Sequence, residues 1–420
     1  MRPKSPPPTA AAQVLAARLD ELGRITDEPG RLTRTFLSPA MERANLLVGD
    51  WMREAGLKVR EDDTGNLIGR CEAGANAPRK PKTLLLGSHL DTVRNAGRFD
   101  GALGVVLPIV AIAELRRQGI ELPFALEVIG FSEEEAVRFS GAYIGSKAYT
   151  GKLRAADLAL KDARGLTLQE VIESHSGRGF ILPKTTHSTS ELLGYLEVHI
   201  EQGPVLEDEG LALGAVAAIA CQTRGRFTFR GKAGHAGTTP MNLRKDALAA
   251  AAEFILAVET FAQGAPPLVA TVGTIVVPAG AANVIPGEAI VSLDVRHPAD
   301  TKCHRAVAAL VRTARAIARR RGLIGEWQPT MQHTATPCSP ALTQLLHESV
   351  KSVQARSPEL VSGAGHDGVV MAAQTSIAML FVRCRAGLSH HPDEYVTPQD
   401  LDVALRATMD FLVRLAKRKG

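Results

Sequence analysis

The chain has 420 residues, 45% of them hydrophobic and 22% charged. That length exceeds one ordinary domain, and that balance is typical of a soluble globular protein. A formal net charge of +5 gives no case for nucleic acid or a membrane surface as partner, and no apolar run is long enough to cross a bilayer.

In chain order, the start Met1-Arg2-Pro3-Lys4-Ser5-Pro6-Pro7-Pro8 lacks an apolar stretch after its basic residues. It reads as a disordered tail rather than a secretory signal. Helices are expected over 10–23 and 40–55, then a hairpin of 59–62 and 66–70 around Asp63-Thr64-Gly65. The apolar run 82–86 reads as a buried strand, 104–118 as a helix and 124–131 as a second strand. Strands alternating with helices imply an α/β fold with a mixed, mostly parallel sheet.

From about residue 213 the rhythm changes to strand 223–230, helix 241–261, strands 268–277 and 289–296, helix 301–321 and strand 324–329. That order is ferredoxin-like, a two-layer α+β unit. Candidate ligands lie on both sides of it, so 213–330 reads as an inserted domain within a discontinuous one of 1–212 and 331–420. Arg312, Arg315, Arg319, Arg320 and Arg321 share the helix 301–321 without interleaved aromatics, the pattern of a solvated face rather than a nucleic-acid patch. The five cysteines (Cys71, Cys221, Cys303, Cys338, Cys384) are scattered, with no CxxC pair. They argue against a disulfide framework and a thiolate metal site, and for a reducing cytoplasm.

Five segments carry the chemistry. Gly87-Ser88-His89-Leu90-Asp91-Thr92 follows the first buried strand, and a strand end is where an open α/β sheet builds its site. Phe99-Asp100-Gly101 adds a carboxylate beyond the next turn. Glu133-Glu134-Glu135 ends the second strand, and His199-Ile200-Glu201-Gln202-Gly203 and Ser389-His390-His391-Pro392 complete the set. Imidazoles and carboxylates without thiolate suit zinc, manganese or cobalt. Two such ions need a shared carboxylate, and Asp100 is the natural bridge. Asp91 is placed to orient His89 through its second ring nitrogen. Within the triple Glu, one carboxylate can ligate while its neighbour takes a proton from water. A run of Glu is ordinarily a solvated turn, and a lone histidine is ordinarily no ligand. Five segments in this order argue against both readings.

At these residues the chain resembles the di-metal exopeptidase and amidohydrolase superfamily, specifically its hydantoinase/carbamoylase branch of N-carbamoyl-L-amino acid hydrolases, β-ureidopropionases and allantoate amidohydrolases. The resemblance implies a di-metal aminopeptidase-like catalytic domain with an inserted lid and dimerisation domain. It implies two divalent metals per subunit, one held by His89, Asp100 and His199 and the other by Asp100, Glu135 and His391, with Glu134 as general base. His199 in His-Ile-Glu-Gln-Gly-Pro stands where peptidase relatives commonly place a carboxylate. Gly234-His235-Ala236-Gly237-Thr238-Thr239-Pro240-Met241 matches the segment whose histidine, here His235, serves the partner subunit's site by stabilising an oxyanion. Arg296 matches the arginine that clamps the substrate carboxylate. Gln202, Arg224, Asn283 and His366 match further substrate contacts, although Arg224 and Arg296 also read as strand-end residues facing water. The family's acidic turn usually continues with Gly where this chain has Ala136, a source of strain if that position needs positive φ.

The expected protein is therefore a cytoplasmic homodimeric hydrolase of a linear ureido or N-carbamoyl acid, allantoate ahead of N-carbamoyl-L-amino acids. The rivals are a peptidase or deacylase of the same superfamily, and a non-catalytic binding module on this fold.

Overall fold

The structure, a computed structural model, describes residues 7–419, so most of the expected tail (residues 1–6) lies outside it. The chain forms two compact units, one of residues up to Ala217 and from Cys338, the other Ala218–Pro337.

In the first unit, Thr9 caps α1 (Ala10–Leu22) by accepting the Ala12 N–H. Ser38 caps α2 (Pro39–Glu54), whose first residue is a proline, at a position where the lost N–H costs nothing. The expected hairpin is β1 (Lys58–Glu61) paired antiparallel with β2 (Leu67–Cys71). Next come β3 (Thr83–His89), α3 (Ala102–Arg117) and β4 (Ala125–Phe131). Both strands are buried at every position, as strands covered on two faces must be. Three short helices follow: α4 (Ile144–Tyr149), α5 (Ala155–Leu158) and α6 (Leu168–Ser176). Then come β5 (Leu192–Ile200), α7 (Val205–Asp208) and β6 (Leu213–Ile219).

The second unit contains β7 (Cys221–Arg230), β8 (Gly234–His235) and α8 (Ala247–Gln263), then β9 (Val269–Thr271), β10 (Ile275–Val276) and β11 (Val284–Ile285). It ends with β12 (Glu288–His297), α9 (Asp300–Arg320), β13 (Ile324–His333) and β14 (Thr336–Pro337). Its main sheet runs β10-β12-β7-β13, with β9 also on β12. This is the strand order of a ferredoxin-like unit. Burial alternates along β7 and β12. One face, with Phe227, Phe229, Leu293 and Val295, packs with α8 and α9 into a separate core. The strand expected over 268–277 is broken in two, because Ser292 Oγ accepts the N–H groups of Gly273 and Thr274 and draws the chain out of the ladder.

The first unit resumes with α10 (Pro340–Lys351), β15 (Glu359–Ser362), α11 (Gly368–Met371), β16 (Ile377–Val382) and α12 (Pro398–Lys419). The expected insert boundaries are both too early. Residues 213–217 lie on β6, which pairs antiparallel with β16 from Leu213 to Val216, and β13 runs on to His333. In the large sheet, β4, β3, β5 and β16 are adjacent and parallel, flanked by antiparallel β2 and β6. Leu84, Leu86, Val128, Leu196, Val198 and Leu380 join α1, α2, α3 and α12 in one core. Phe36, Phe139, Ile144 and Leu168 form a second, smaller cluster.

Candidate metal centre

The four parallel strands end side by side. His89 of β3 is in register with Phe131 of β4, and His199 of β5 with Phe381 of β16. The segments that follow, 90–101, 132–139, 201–203 and 383–394, therefore open at one sheet edge.

His89 and His199 are buried, 2% and 1% exposed. Each ring turns Nδ1 to a main-chain oxygen 2.9 Å away, that of Asp91 and of Ile200 respectively. A proton donated there leaves Nε2 with its lone pair for a metal. Both Nε2 atoms face Asp100 Oδ1, at 3.5 and 3.1 Å. Asp100 Oδ2 faces His390 Nε2 at 3.3 Å, and that nitrogen lies 3.1 Å from Glu135 Oε1. Asp100 thus offers one oxygen to each of two clusters, as a bridging carboxylate must. Three overlapping sets have ligand atoms within 4.8 Å: His89, Asp100 and His199; His89, Glu134 and Glu135; Asp100, Glu135 and His390. Oxygen and imidazole donors with Nε2 pre-oriented fit a pair of zinc, manganese or cobalt ions.

The expectation at His391 is corrected. His391 is exposed and turns toward Asp393, 3.8 Å away. His390 has φ +56°, and that left-handed residue turns the chain so that it, not its neighbour, faces Asp100. Two adjacent histidines carry the same chemistry in the sequence, and only the backbone reversal separates them.

Asp91 meets the second ring nitrogen of His89 through its main chain rather than through its carboxylate. Its carboxylate is 3.8 Å from His89 Nδ1, and its main-chain oxygen makes the close contact. The carboxylate instead accepts the N–H groups of Glu134 and Glu135, at 3.2 and 3.1 Å. Asp91 therefore couples the His89 ring to the acidic turn. The other end of that turn is held by Glu133, whose Oε1 accepts the Arg138 and Phe139 N–H groups. Ala136 has φ +55°, so the position does need the conformation that suits glycine.

Further residues support the ligand set, and of these Glu394 and Arg34 carried no sequence signal. Glu394 is 2% exposed, and its Oε1 accepts the N–H groups of Phe99 and Asp100 at 2.8 and 3.0 Å. Ser389 Oγ donates to Asp100 Oδ2 at 2.5 Å, and Gln202 Nε2 donates to the same oxygen at 3.0 Å. Gly101 has φ +65°, and a Cβ there would lie 2.4 Å from the His89 ring. Arg34 is buried and ties Leu90 O to Leu22 O through its guanidinium. His366, expected among substrate contacts, instead sits 2% exposed behind His199. Its ring centroid is 4.5 Å from that of His199, and its Nε2 meets Ser362 Oγ at 2.7 Å.

The electrostatics describe a site with too much buried negative charge for its own cations. Burial pushes the Glu134 carboxyl well above the usual range, with His89 opposing and Glu135, Asp367 and Asp91 adding to the shift. Burial and Asp91 raise Glu133 to about 8, and burial and Asp100 raise Glu394 to about 7. Asp100 is held well below its ordinary value, since hydrogen bonds from His199, His390 and His89 outweigh its burial. Asp100 and Glu135 raise His390 to about 10. Divalent cations would relieve each of the strained carboxyls and displace the His390 proton.

The remaining expected residues lie in the second unit. His235 is exposed on the β8–β11 ribbon, opposite Val284, next to Asn283, whose carbonyl accepts the Ala236 N–H. His235 Nδ1 accepts the Gly237 N–H at 3.1 Å, which leaves a proton on Nε2 to donate. Arg224 and Arg296 lie on the sheet face away from the helices. Asp294 Oδ2 accepts from Arg224 Nε at 2.7 Å, from Arg296 Nη2 at 2.9 Å and from Gln222 Nε2 at 2.8 Å.

A profile of Peptidase family M20/M25/M40 matches residues 85–414. Allantoate deiminase 2 of Glycine max is 39% identical over 95% of this chain and 89% of its own length. An N-carbamoyl-L-amino-acid amidohydrolase of a Pseudomonas strain is 37% identical, over 97% of this chain and 99% of its own. Among solved structures, an amidase of the hydantoinase/carbamoylase family from Burkholderia multivorans superposes with a TM-score of 0.89 at 31% identity, covering 96% of this chain and 98% of its own. With the ligand-bearing strand ends, these likenesses identify the chain as a member of the M20/M25/M40 family, in its hydantoinase/carbamoylase branch.

Proposed function

We propose that the protein hydrolyses a C–N bond of a linear ureido or N-carbamoyl acid, with allantoate the first candidate and N-carbamoyl-L-amino acids the second. One observation carries the reading: Asp100 divides its two oxygens between His89 with His199 and His390 with Glu135, with Glu134 alongside. Relatives bearing both activities along nearly the whole chain support the substrate class.

Two divalent ions held by His89, Asp100, His199, Glu135 and His390 would polarise the ureido carbonyl and acidify water. Glu134, kept basic by burial, takes a proton from the attacking water and passes it to the departing nitrogen. The water oxygen bonds to the carbamoyl carbon as the C=O electron pair moves onto oxygen. Collapse of that tetrahedral oxyanion breaks the C–N bond, the nitrogen leaving with the proton from Glu134. The second unit serves as lid and dimerisation module: His235 donates through Nε2 to the developing oxyanion of the partner subunit, and Arg296 holds the substrate carboxylate. Arg224, Asn283 and Gln202 add polar contacts. Five unpaired thiols support the cytoplasm as compartment. Among the described residues, no helix is long and apolar enough to cross a membrane.

Ammonia release from allantoate, N-carbamoyl-L-amino acids, N-carbamoyl-β-alanine and a dipeptide panel tests the reading; turnover of dipeptides alone would overturn it. Glu134→Gln should abolish turnover with metal content near wild type, and an active variant would show the base misassigned. Separately, His235→Ala and Arg296→Ala chains, each nearly inactive, should recover activity when mixed into hybrid dimers. Verified hybrids that stay inactive would remove the cross-subunit role.

A further inference from the structure

Tyr143 is a side chain that neither the ligand set nor the base accounts for. It precedes α4 with φ +65° and ψ +31°, the left-handed region that suits glycine or asparagine and burdens a bulky residue. Strain of this kind persists where the surroundings impose it, and it concentrates at functional sites. The ring is mostly buried, yet no hydrogen bond among the described residues uses its hydroxyl. The two fully buried tyrosines of this unit are paired, Tyr149 donating to Glu127 at 2.8 Å and Tyr195 to the Gly87 carbonyl at 2.9 Å. Half-buried Tyr395 packs its ring on Phe99 and, like Tyr143, has no hydrogen bond on its hydroxyl among the described residues.

The position of the hydroxyl is fixed by Gly365. A Cβ built there would lie 2.0 Å from the Tyr143 oxygen, so the hydroxyl rests directly on the glycine backbone. The next residue, His366, packs its ring against His199 at 4.5 Å. Two short steps thus connect the unpaired hydroxyl to the metal-ligand cluster. The nearby charges are carboxylates: Glu134, Asp367, Glu197 and Glu135 all act on the phenol, and with burial they oppose its ionisation. The hydroxyl therefore keeps its proton and is a donor with no acceptor among the described residues.

We propose that Tyr143 is a substrate-binding residue whose hydroxyl donates a hydrogen bond to a carbonyl oxygen of the bound ureido or carbamoyl acid. This rests on the function proposed above and adds a contact from the first unit itself. Gly365 then serves to leave room for that hydroxyl.

The test compares wild type, Tyr143→Phe, Gly365→Ala and the double variant, with allantoate and N-carbamoyl-L-alanine as substrates. Tyr143→Phe should lower kcat/KM about tenfold, a typical cost of one lost hydrogen bond, with metal content and unfolding midpoint unchanged. In a Glu134→Gln background the same change should weaken equilibrium binding of the better substrate severalfold. Gly365→Ala should also lower kcat/KM, and much of that loss should vanish in the double variant, since the displaced hydroxyl is already gone. A Tyr143→Phe enzyme within twofold of an active wild type, or strictly additive losses, would overturn the proposal. A wild type that hydrolyses neither substrate would instead overturn the function on which it rests.

Discussion

At the scale of single residues, the site is built from side chains whose orientation is set by main-chain partners. His89 and His199 spend Nδ1 on carbonyl oxygens, so their Nε2 atoms are committed toward Asp100 before any metal binds. His390 has no such tether and gains its place from the backbone reversal at φ +56°. His390→Ala should accordingly lower metal affinity by more than the 10–100-fold typical of losing an outer partner, while His391→Ala leaves it near wild type. Metal content after dialysis against a chelator reads both, and a loss that follows His391→Ala instead of His390→Ala would restore His391 as the ligand. Histidine, aspartate and glutamate at strand ends were readable as ligands because their donor chemistry is residue-specific. Glu394 was not, because a buried acid holding two N–H groups looks in sequence like any surface acid of a loop.

At the scale of elements, the turn over 133–139 couples chemistry to backbone strain. Glu133 and Ala136 both have positive φ, +50° and +55°, and Asp91 and Glu133 hold the turn from opposite ends. A methyl group at such a position costs of order 1 kcal/mol. Ala136→Gly should therefore stabilise the protein by about 1 kcal/mol in urea unfolding at fixed metal concentration. Unchanged or lowered stability would mean that the turn tolerates the alanine without strain. The strong periodic elements, such as β3, β4, α8 and α9, were legible from apolar spacing. The break between β9 and β10 was not, because it depends on Ser292, which lies far along the chain.

At the scale of the whole molecule, the buried carboxylates link stability to pH and to metal. Glu133, at about 8, and Glu394, at about 7, hold protons in the folded chain that an unfolded chain releases near 4.5. The folded state therefore binds more protons across this window, and the stability of metal-free protein falls as pH rises from about 5 to about 8. His390, raised to about 10, acts with the same sign above its ordinary value. Divalent cation should offset this loss, adding about 2.7 kcal/mol at a hundredfold excess over its Kd. Thermal unfolding of chelated and reloaded protein across that range checks the sign. A metal-free chain that grows more stable with pH would refute it.

The sequence by itself determined the kind of chemistry, the α/β class and the presence of a strand–helix–strand–strand–helix–strand insert, because donor types and apolar periodicity are local properties. Tertiary structure decided which of two adjacent histidines faces Asp100, that the carboxylate of Asp91 serves the acidic turn rather than His89, and that β6 belongs to the large sheet. Each of those outcomes depends on where the backbone reverses or which distant strand it meets, and no stretch of neighbouring residues encodes that.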